Sequence, residues 1–473
     1  MIKLKEVISQ LKEEEFIAIE KSLVKTKADN FVMLLQLYRS GKVSDKEIAS
    51  RLGINSNSFY VLKSRLYDKI QNSFSTDIFV TQETIIKQLL QVPEVCFNSP
   101  RETAIAFLQK LEKDLLSFDM HTELQIVYSA LKKMHLHSDK YFHYSSLFNK
   151  HVAFALSLEK AEETLGNFNR LLGQYDFSKS EDLVSTLFFL KKEIINLCAL
   201  NPSRQIEIIK NIIELQLILF CSGNKSNEYD TEEILKNTRK LFVELPETSI
   251  HKKWELALDY LCFEHYQLTS QNKAALQFYE KVNNQLSFFL LFNTICLSSK
   301  FLITKVKFCF ELNKMEDISE APGKTKLLVD VADPHAKVMI GLYNSMLHFN
   351  RKNYKEAISC LNEIINTVSF KDYFHENINV KLTLAYFYVL MDEYDMVENI
   401  LKGISRKIKT EQLVKYVHVL HLIKTFDLEI NKSKDQKTNL KKRDMFTLFL
   451  ANNNKEIELL SHLIPELKRK YQI

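Results

Sequence analysis

Apolar residues recur at helical spacing along most of the chain. Ile206, Ile209, Ile213 and Leu217, for example, follow one another in steps of three or four residues. This spacing places apolar side chains on one face of a helix, and no stretch of comparable length shows the strict alternation typical of a half-buried strand. The pattern predicts an all-α chain of roughly twenty helices. One weak candidate strand lies at 327–331.

The chain also contains an internal repeat. Each copy has a tyrosine, a small or β-branched residue three positions later, and a leucine four positions after that. The two clearest copies are Tyr354, Ala357 and Leu361, and then Tyr394, Val397 and Leu401. A fainter copy contains Tyr266, Ala275, Tyr279 and Val282. The two clearest copies are forty residues apart. Repetition at a period of this length is typical of proteins built from stacked helix pairs.

These residues resemble the tetratricopeptide (TPR) repeat, in which an aromatic residue, a turn tyrosine, a small residue and a large apolar residue interlock two helices. Leu384, Ala385 and Tyr388 match further positions of the pattern, whereas His348 stands where an aromatic residue is expected. The resemblance implies a TPR-like α-solenoid of antiparallel helix pairs over residues 250–430 and, by analogy, over 100–250. A non-repetitive helical bundle is the alternative.

Residues 1–75 have a different pattern, which resembles a helix-turn-helix. An acidic start at 44–47 precedes Ile48-Ala49, Leu52-Gly53-Ile54, a polar turn and a second amphipathic helix. Ala49 is small enough for two helices to cross closely, and Gly53 permits the turn. The predicted core of this block consists of Ile48, Leu52, Phe59, Leu62 and Leu66.

Two functions are compatible with this block. A helix-turn-helix would present its second helix to a DNA groove, and the candidate nucleic-acid contacts are Asn57, Tyr60, Lys63 and Arg65. Alternatively, the block caps the solenoid, since terminal repeats are atypical. Residues 42–70 contain six basic and three acidic side chains. Because this surplus is modest for a phosphate-binding surface, the cap interpretation is favoured.

The predicted organisation has five segments. They are an N-terminal helical block (1–75), a helical repeat region (76–312), a hinge or loop (313–335), TPR-like helix pairs (336–430) and basic C-terminal helices (431–473). Residues 402–473 carry a formal net charge of +8, against +5 for the whole chain. This excess indicates either a patch for nucleic acid or an acidic partner, or a solvated helix face, which is the favoured interpretation.

Composition narrows the function further. Gly and Pro together make up about 3% of the chain (8 and 7 residues) against roughly 12% on average. Folds rich in β-turns and glycine-rich phosphate loops are therefore excluded. The sequence Gly323-Lys324-Thr325 imitates the end of a phosphate loop, but Ile318 occupies the position of its first glycine. The seven cysteines form no C-x-x-C pair, which indicates reduced thiols.

No arrangement of residues predicts catalysis, so we expect a non-enzyme without cofactors. Five histidines fall between His121 and His151, but their spacing predicts no metal site because zinc requires three or four convergent ligands. The N-terminus lacks the apolar region of a signal peptide. The most apolar stretch, 286–303, is interrupted by polar residues and predicts a buried helix. We therefore expect a cytoplasmic protein without a membrane partner.

The leading hypothesis is a helical-repeat scaffold that binds a protein or peptide on its concave face. The TPR-like register places Tyr260, Glu264, Gln267, Tyr343, Asn350, Asn379, Thr383 and Tyr386 on that face. Tyrosine supplies contact area there, and asparagine can bond to a peptide backbone. The alternative hypothesis is a transcriptional regulator with an N-terminal helix-turn-helix domain and a repeat-type sensor domain.

Overall fold

The structure, a computed structural model, describes residues 28–40, 45–76, 80–221, 228–245, 249–291, 295–312, 334–410, 413–430, 436–453 and 458–473. It also describes seven single positions: Leu4, Ile8, Phe16, Glu20, Leu23, Lys314 and Ile318. The predicted strand at 327–331 and nearly all of the predicted hinge at 313–335 lie outside these residues.

The chain is all-α over its described residues, as the periodicity predicts. The helices of the N-terminal third are α1 (Asp29–Ser40), α2 (Asp45–Arg51), α3 (Ser56–Thr76), α4 (Val80–Asn98), α5 (Arg101–Ser117), α6 (His121–Met134) and α7 (Lys140–Ser178). Next come α8 (Glu181–Leu200), α9 (Arg204–Phe220), α10 (Glu228–Glu244), α11 (Ser249–Leu268), α12 (Asn272–Asn284), α13 (Leu286–Leu291) and α14 (Ile295–Glu311). The last are α15 (Pro334–Asn350), α16 (Tyr354–Thr367), α17 (Phe374–Leu390), α18 (Tyr394–Thr410), a 3₁₀ turn (Val414–Tyr416), α19 (Val419–Ile430), α20 (Gln436–Asn452) and α21 (Ile464–Tyr471).

Two compact units divide the chain. The first comprises Met1–Leu115, Ile126–Tyr141 and Glu247–Ser249, and the second comprises Leu116–Gln125, Phe142–Pro246 and Ile250–Ile473. These bounds differ from those of the five predicted segments. Among the described residues, no helix combines the length and the apolar character that a membrane crossing requires.

The first unit contains the segment for which the sequence predicts a helix-turn-helix. Gly53 has a φ of +64°, which glycine adopts without steric cost. The Ile54 N–H donates to the Ala49 carbonyl, so this turn closes α2 with a Schellman motif. The side chain of Asn55 then accepts from the Ser58 N–H at the start of α3. Of the predicted core, Ile48, Phe59 and Leu66 are buried, and Leu52 and Leu62 pack against them.

In the second unit, consecutive helices pack against one another, and three turns share one geometry. These turns join α11 to α12, α15 to α16, and α17 to α18. In each, a residue with φ near +60° closes the first helix: Ser270, Lys352 and Asp392. The next N–H donates to the carbonyl five residues earlier, from Gln271 to Tyr266, Asn353 to His348, and Glu393 to Tyr388. This is the Schellman motif without its usual glycine.

The same apolar spacing builds the second helix of each pair. In α18 the buried residues are Val397, Leu401, Ile404 and Ile408, in steps of four, three and four. Their spacing places them along one stripe, while charged residues occupy the remainder of the helix. The repeat residues Tyr279, Ala357, Leu361, Val397 and Leu401 are all buried. In the fainter copy, Tyr279 packs against Phe263 of the preceding helix.

Candidate functional site

A cleft of about 280 Å³ lies inside the second unit. Its wall is formed by α7, α9, α11, α14, α15 and α17, together with the C-terminal segment 458–461. Three of these helices, α11, α15 and α17, are the ones that precede the three matching turns. The wall includes apolar side chains such as Phe220 and Leu342, but charged groups occupy much of it.

Asp176, near the end of α7, organises one end of the charged wall. The Lys300 ammonium donates to both of its carboxylate oxygens, at 2.9 and 2.8 Å, and the Lys179 ammonium lies 3.3 Å away. The His335 Nε2 atom lies 3.8 Å from Asp176 Oδ2. Burial opposes ionisation of Asp176, but Lys300, Lys179 and His335 outweigh that effect and hold its pKa well below the usual value.

A second ion pair lies between α14 and the C-terminal segment. The Lys307 ammonium donates to the Glu458 carboxylate at 2.9 Å, and both side chains are about one-third exposed. On the same helix, the Thr304 hydroxyl donates to the Glu264 carboxylate of α11 at 2.7 Å. The chain thus joins α11, α14 and residue 458 through polar groups at the cleft surface.

Glu376 is the most deeply buried carboxyl group of the wall without an ion-pair partner among the described residues. It is 3% exposed. One of its oxygens accepts from the Asn379 amide at 3.0 Å. Burial raises the pKa of Glu376 to about 7, and the opposing effects of Asn379, Lys179 and Lys300 do not offset it. Its neighbour His375 bonds to Tyr416 at 3.1 Å, and burial lowers the pKa of that imidazole to about 3.

Two asparagines hold the C-terminal segment at the cleft. The Asn379 carbonyl oxygen accepts from the Leu460 N–H at 2.8 Å. Asn453 bonds to both backbone groups of Leu459, at 2.8 and 2.9 Å. Leu460 has a φ of +57°, a conformation that is unfavourable for a leucine and that these contacts maintain.

The structure brings three of the eight predicted peptide-contact residues together at this cleft: Glu264, Gln267 and Asn379. Their role in binding stays a prediction. Four others belong to the same helices but are at most 1% exposed, namely Tyr260, Tyr343, Thr383 and Tyr386. Their predicted position on an accessible face is therefore wrong, because neighbouring helices cover them. The remaining residue, Asn350, is half-buried at the end of α15 and does not line the cleft.

Sequence reasoning missed Asp176, Lys300, Lys307, Glu376 and Glu458. Each is an ordinary charged residue, and no local motif marks it. Only the packing of helices distant in sequence brings them to one cleft.

The predicted nucleic-acid contacts lie on α3 of the first unit. Asn57, Tyr60 and Arg65 are exposed, with Tyr60 at 55%. The ammonium group of Lys63 instead lies 2.8 Å from Asp45 of α2, and only 14% of its side chain is exposed. Lys63 is thus engaged within the block, which corrects its predicted orientation toward a nucleic acid. The basic run of α20 is also partly engaged, since Lys442 lies 3.0 Å from Glu429.

Two histidines of the His121–His151 region meet in the second unit. Their Nδ1 atoms lie 3.0 Å apart, and both rings contact Phe154. Asp119 lies 3.4 Å from His121 Nε2 and accepts from Ser203 at 3.0 Å. Burial lowers the pKa of His151 to about 4. The described part of the chain holds no group of three or more His, Cys, Asp or Glu side chains suited to a metal ion.

No protein-family model, curated protein or solved structure matches this chain.

Proposed function

We propose that the second unit is a TPR-like α-solenoid that binds a peptide segment of a partner protein in its cleft, without catalysis. One observation carries this proposal: side chains from six helices and from the C-terminal segment converge on a single charged cleft. Three of the helices precede turns of identical geometry. A stack of such pairs would place its first helices on the concave side.

The size and chemistry of the cleft favour a short peptide segment. Its 280 Å³ falls just below the usual range for small-molecule pockets, roughly 300–1,000 Å³. It therefore accommodates one or two side chains of a peptide better than a large cofactor. Backbone groups of a peptide can bond to Gln267 and Thr304, and Leu219 offers apolar contact.

Three cleft groups of a type that can serve in catalysis, Cys221, His375 and Asp176, are poorly prepared for it, which supports a binding role; Glu376, whose pKa is about 7, is assigned to ligand binding below. Burial raises the pKa of the Cys221 thiol to about 12, so it remains a protonated and weak nucleophile near neutral pH. His375 stays neutral and is bonded to Tyr416. The carboxylate of Asp176 is neutralised by two lysines. Such groups position a ligand but do not transfer protons readily.

The experiment is a selection of peptides from a random heptapeptide display library against the full-length chain. We expect a family of peptides that compete with one another for one site. Thr304→Val and Gln267→Ala should weaken their binding at least fivefold. Glu363→Gln, on the exposed side of α16, is the matched control and should leave binding unchanged. A library that yields no enriched peptide would refute the proposed function of the second unit.

A second candidate function, DNA binding by the first unit, is favoured by the geometry of α2, the Gly53 turn and α3. The exposed side chains of Asn57, Tyr60 and Arg65 lie on the helix that would enter the major groove. Arg65→Glu should abolish binding to a random 20-base-pair duplex at 50 mM salt, as measured by fluorescence anisotropy. Arg443→Glu makes the same charge change on α20 and serves as the control. Wild-type protein that does not bind the duplex would exclude this function.

A further inference from the structure

The charged groups that line the cleft do not balance. Three are ammonium groups, contributed by Lys179, Lys300 and Lys307. Five are carboxyl groups, contributed by Asp176, Glu264, Glu311, Glu376 and Glu458. All three lysines already form ion pairs: Lys179 and Lys300 with Asp176, and Lys307 with Glu458. Carboxyl groups therefore outnumber ammonium groups in the cleft, and Glu264, Glu311 and Glu376 form no ion pair among the described residues.

Glu376 is the most deeply buried of the cleft carboxyl groups that form no ion pair among the described residues. The residue is only 3% exposed, yet it borders the cleft. One carboxyl oxygen accepts from Asn379, and the other has no hydrogen-bond donor among the described residues. A buried carboxylate without a cation or a full set of donors is costly. The second oxygen is thus an open acceptor, to which a ligand group can donate.

We propose that the cleft recognises a cationic group of the bound peptide, a lysine or arginine side chain or the N-terminal amine, through an ion pair with Glu376. This inference rests on the peptide-binding function proposed above and specifies its ligand. The sign of the charge excess argues against an acidic segment, because its carboxylates would face Glu264, Glu311 and Glu376 together. Apolar contact from Leu219 and Phe220, which are both partly exposed, suits the aliphatic stem of a lysine or arginine.

The surroundings of Glu376 predict how this recognition depends on pH. The charged and titratable groups that act on it are Asp176 of α7, Lys179 just after α7, Lys300 of α14, and Tyr416. Because its pKa lies near 7, Glu376 is about half protonated in the free protein at neutral pH. A bound cation favours the ionised form, so binding should release a proton below pH 7. Affinity should rise about tenfold between pH 6 and pH 8.

The experiment uses the same heptapeptide selection on the full-length chain. We expect lysine or arginine to be enriched at one position of the selected peptides, or a requirement for their free N-terminus. Synthetic versions with and without N-terminal acetylation distinguish the two sources of positive charge. Replacing the enriched lysine by norleucine should weaken binding at least tenfold to the wild type. The same replacement should change binding to the Glu376→Gln variant less than twofold.

The outcomes separate this inference from the function on which it rests. Selected peptides that are acidic or uncharged, or that bind Glu376→Gln as tightly as wild type, overturn the cationic-ligand inference and leave peptide binding intact. A selection without any enriched peptide overturns both. Glu363→Gln is the matched control for the loss of one carboxylate. Calorimetry in two buffers of different ionisation enthalpy measures the proton release, which should be absent in Glu376→Gln.

Discussion

The Lys300 ammonium donates to both carboxylate oxygens of Asp176, a residue 124 positions earlier in the chain. Asp176 is 6% exposed, and Lys179, the first residue after the end of α7, approaches it. The three residues form a compact ionic group that joins α7 to α14. Because Asp176 supplies the negative charge for both lysines, its removal leaves two partly buried ammonium groups without their counterion.

Asp176→Asn should therefore lower the free energy of unfolding by about 3 kcal/mol, the size typical of breaking a buried ion pair. Urea unfolding monitored by circular dichroism measures the change. The control is Glu163→Gln, which breaks the exposed pair between Lys160 and Glu163. That substitution should cost less than about 1 kcal/mol. Equal effects for the two variants would show that the Asp176 group does not stabilise the unit.

Lowering the pH should also affect the stability of the wild type and of Asp176→Asn differently. The pKa of Asp176 is lowered in the folded protein, so the folded state releases this proton more readily than the unfolded state. Its contribution to stability is present above the ordinary aspartate pKa, near 4, and is lost as the pH falls below it. Stability of the wild type should therefore fall more steeply than that of Asp176→Asn between pH 4 and pH 2. Parallel acid profiles would contradict this.

The helices and the repeated turns could be predicted from the sequence because both depend on local spacing. The repeated tyrosines Tyr354 and Tyr394 predicted where the second helix of a pair begins, and Gly53 predicted a turn that the structure contains. The left-handed conformation of Ser270, Lys352 and Asp392 could not be predicted, because glycine is the usual signal for a left-handed helix end.

The cleft could not be predicted in the same way. A helix register shows which residues share a face, but it does not show how deeply the next helix covers that face. Tyr260 and Glu264 are one turn apart on α11, yet one is fully buried and the other borders the cleft. The pairing of Asp176 with Lys300 depends on the tertiary arrangement alone. Neither residue belongs to a motif that local sequence could reveal.

Lys352 offers a test of the left-handed turn conformation. A lysine at a φ of +60° has a steric cost of about 1–2 kcal/mol that glycine lacks, part of which is offset by the greater flexibility of glycine when unfolded. Lys352→Gly should therefore stabilise the protein by about 0.5–1 kcal/mol in thermal unfolding. Lys355→Gly, in the first turn of α16, should destabilise it by about the same amount. A loss of stability in Lys352→Gly would contradict the assigned turn.

Gly341 tests the close contact between the two helices that this turn connects. A Cβ atom added to Gly341 would lie 2.6 Å from both the Cγ1 and the Cδ1 atoms of Ile364, which is buried on α16. Gly341→Ala should cost about 1–2 kcal/mol of stability, because the crowding exceeds the helical gain from alanine. A Cβ atom added to Gly403 on α18 would meet nothing within 4 Å, so Gly403→Ala should stabilise the protein by up to about 1 kcal/mol. A stabilising Gly341→Ala would show that α15 and α16 pack less closely.

Glu376 should make the protein less stable as the pH rises. Its pKa is about 7 in the folded state, above the ordinary glutamate value near 4.3. The folded state therefore holds this proton more tightly, and stability is lost as the pH rises from about 4 to 7 and is constant above that range. Glu376→Gln removes the buried charge but keeps the shape and an amide donor. It should raise the free energy of unfolding by about 3 kcal/mol at pH 8 and change it little at pH 4.

The control for this effect is Glu363→Gln, whose exposed carboxyl group should show no such difference between the two pH values. Urea unfolding at pH 4 and pH 8 measures both variants. If the gain in Glu376→Gln were the same at both pH values, it would come from packing and not from charge. A gain confined to the higher pH would mean that the protein retains a destabilising carboxylate at its cleft, as expected of a group kept for binding a cation.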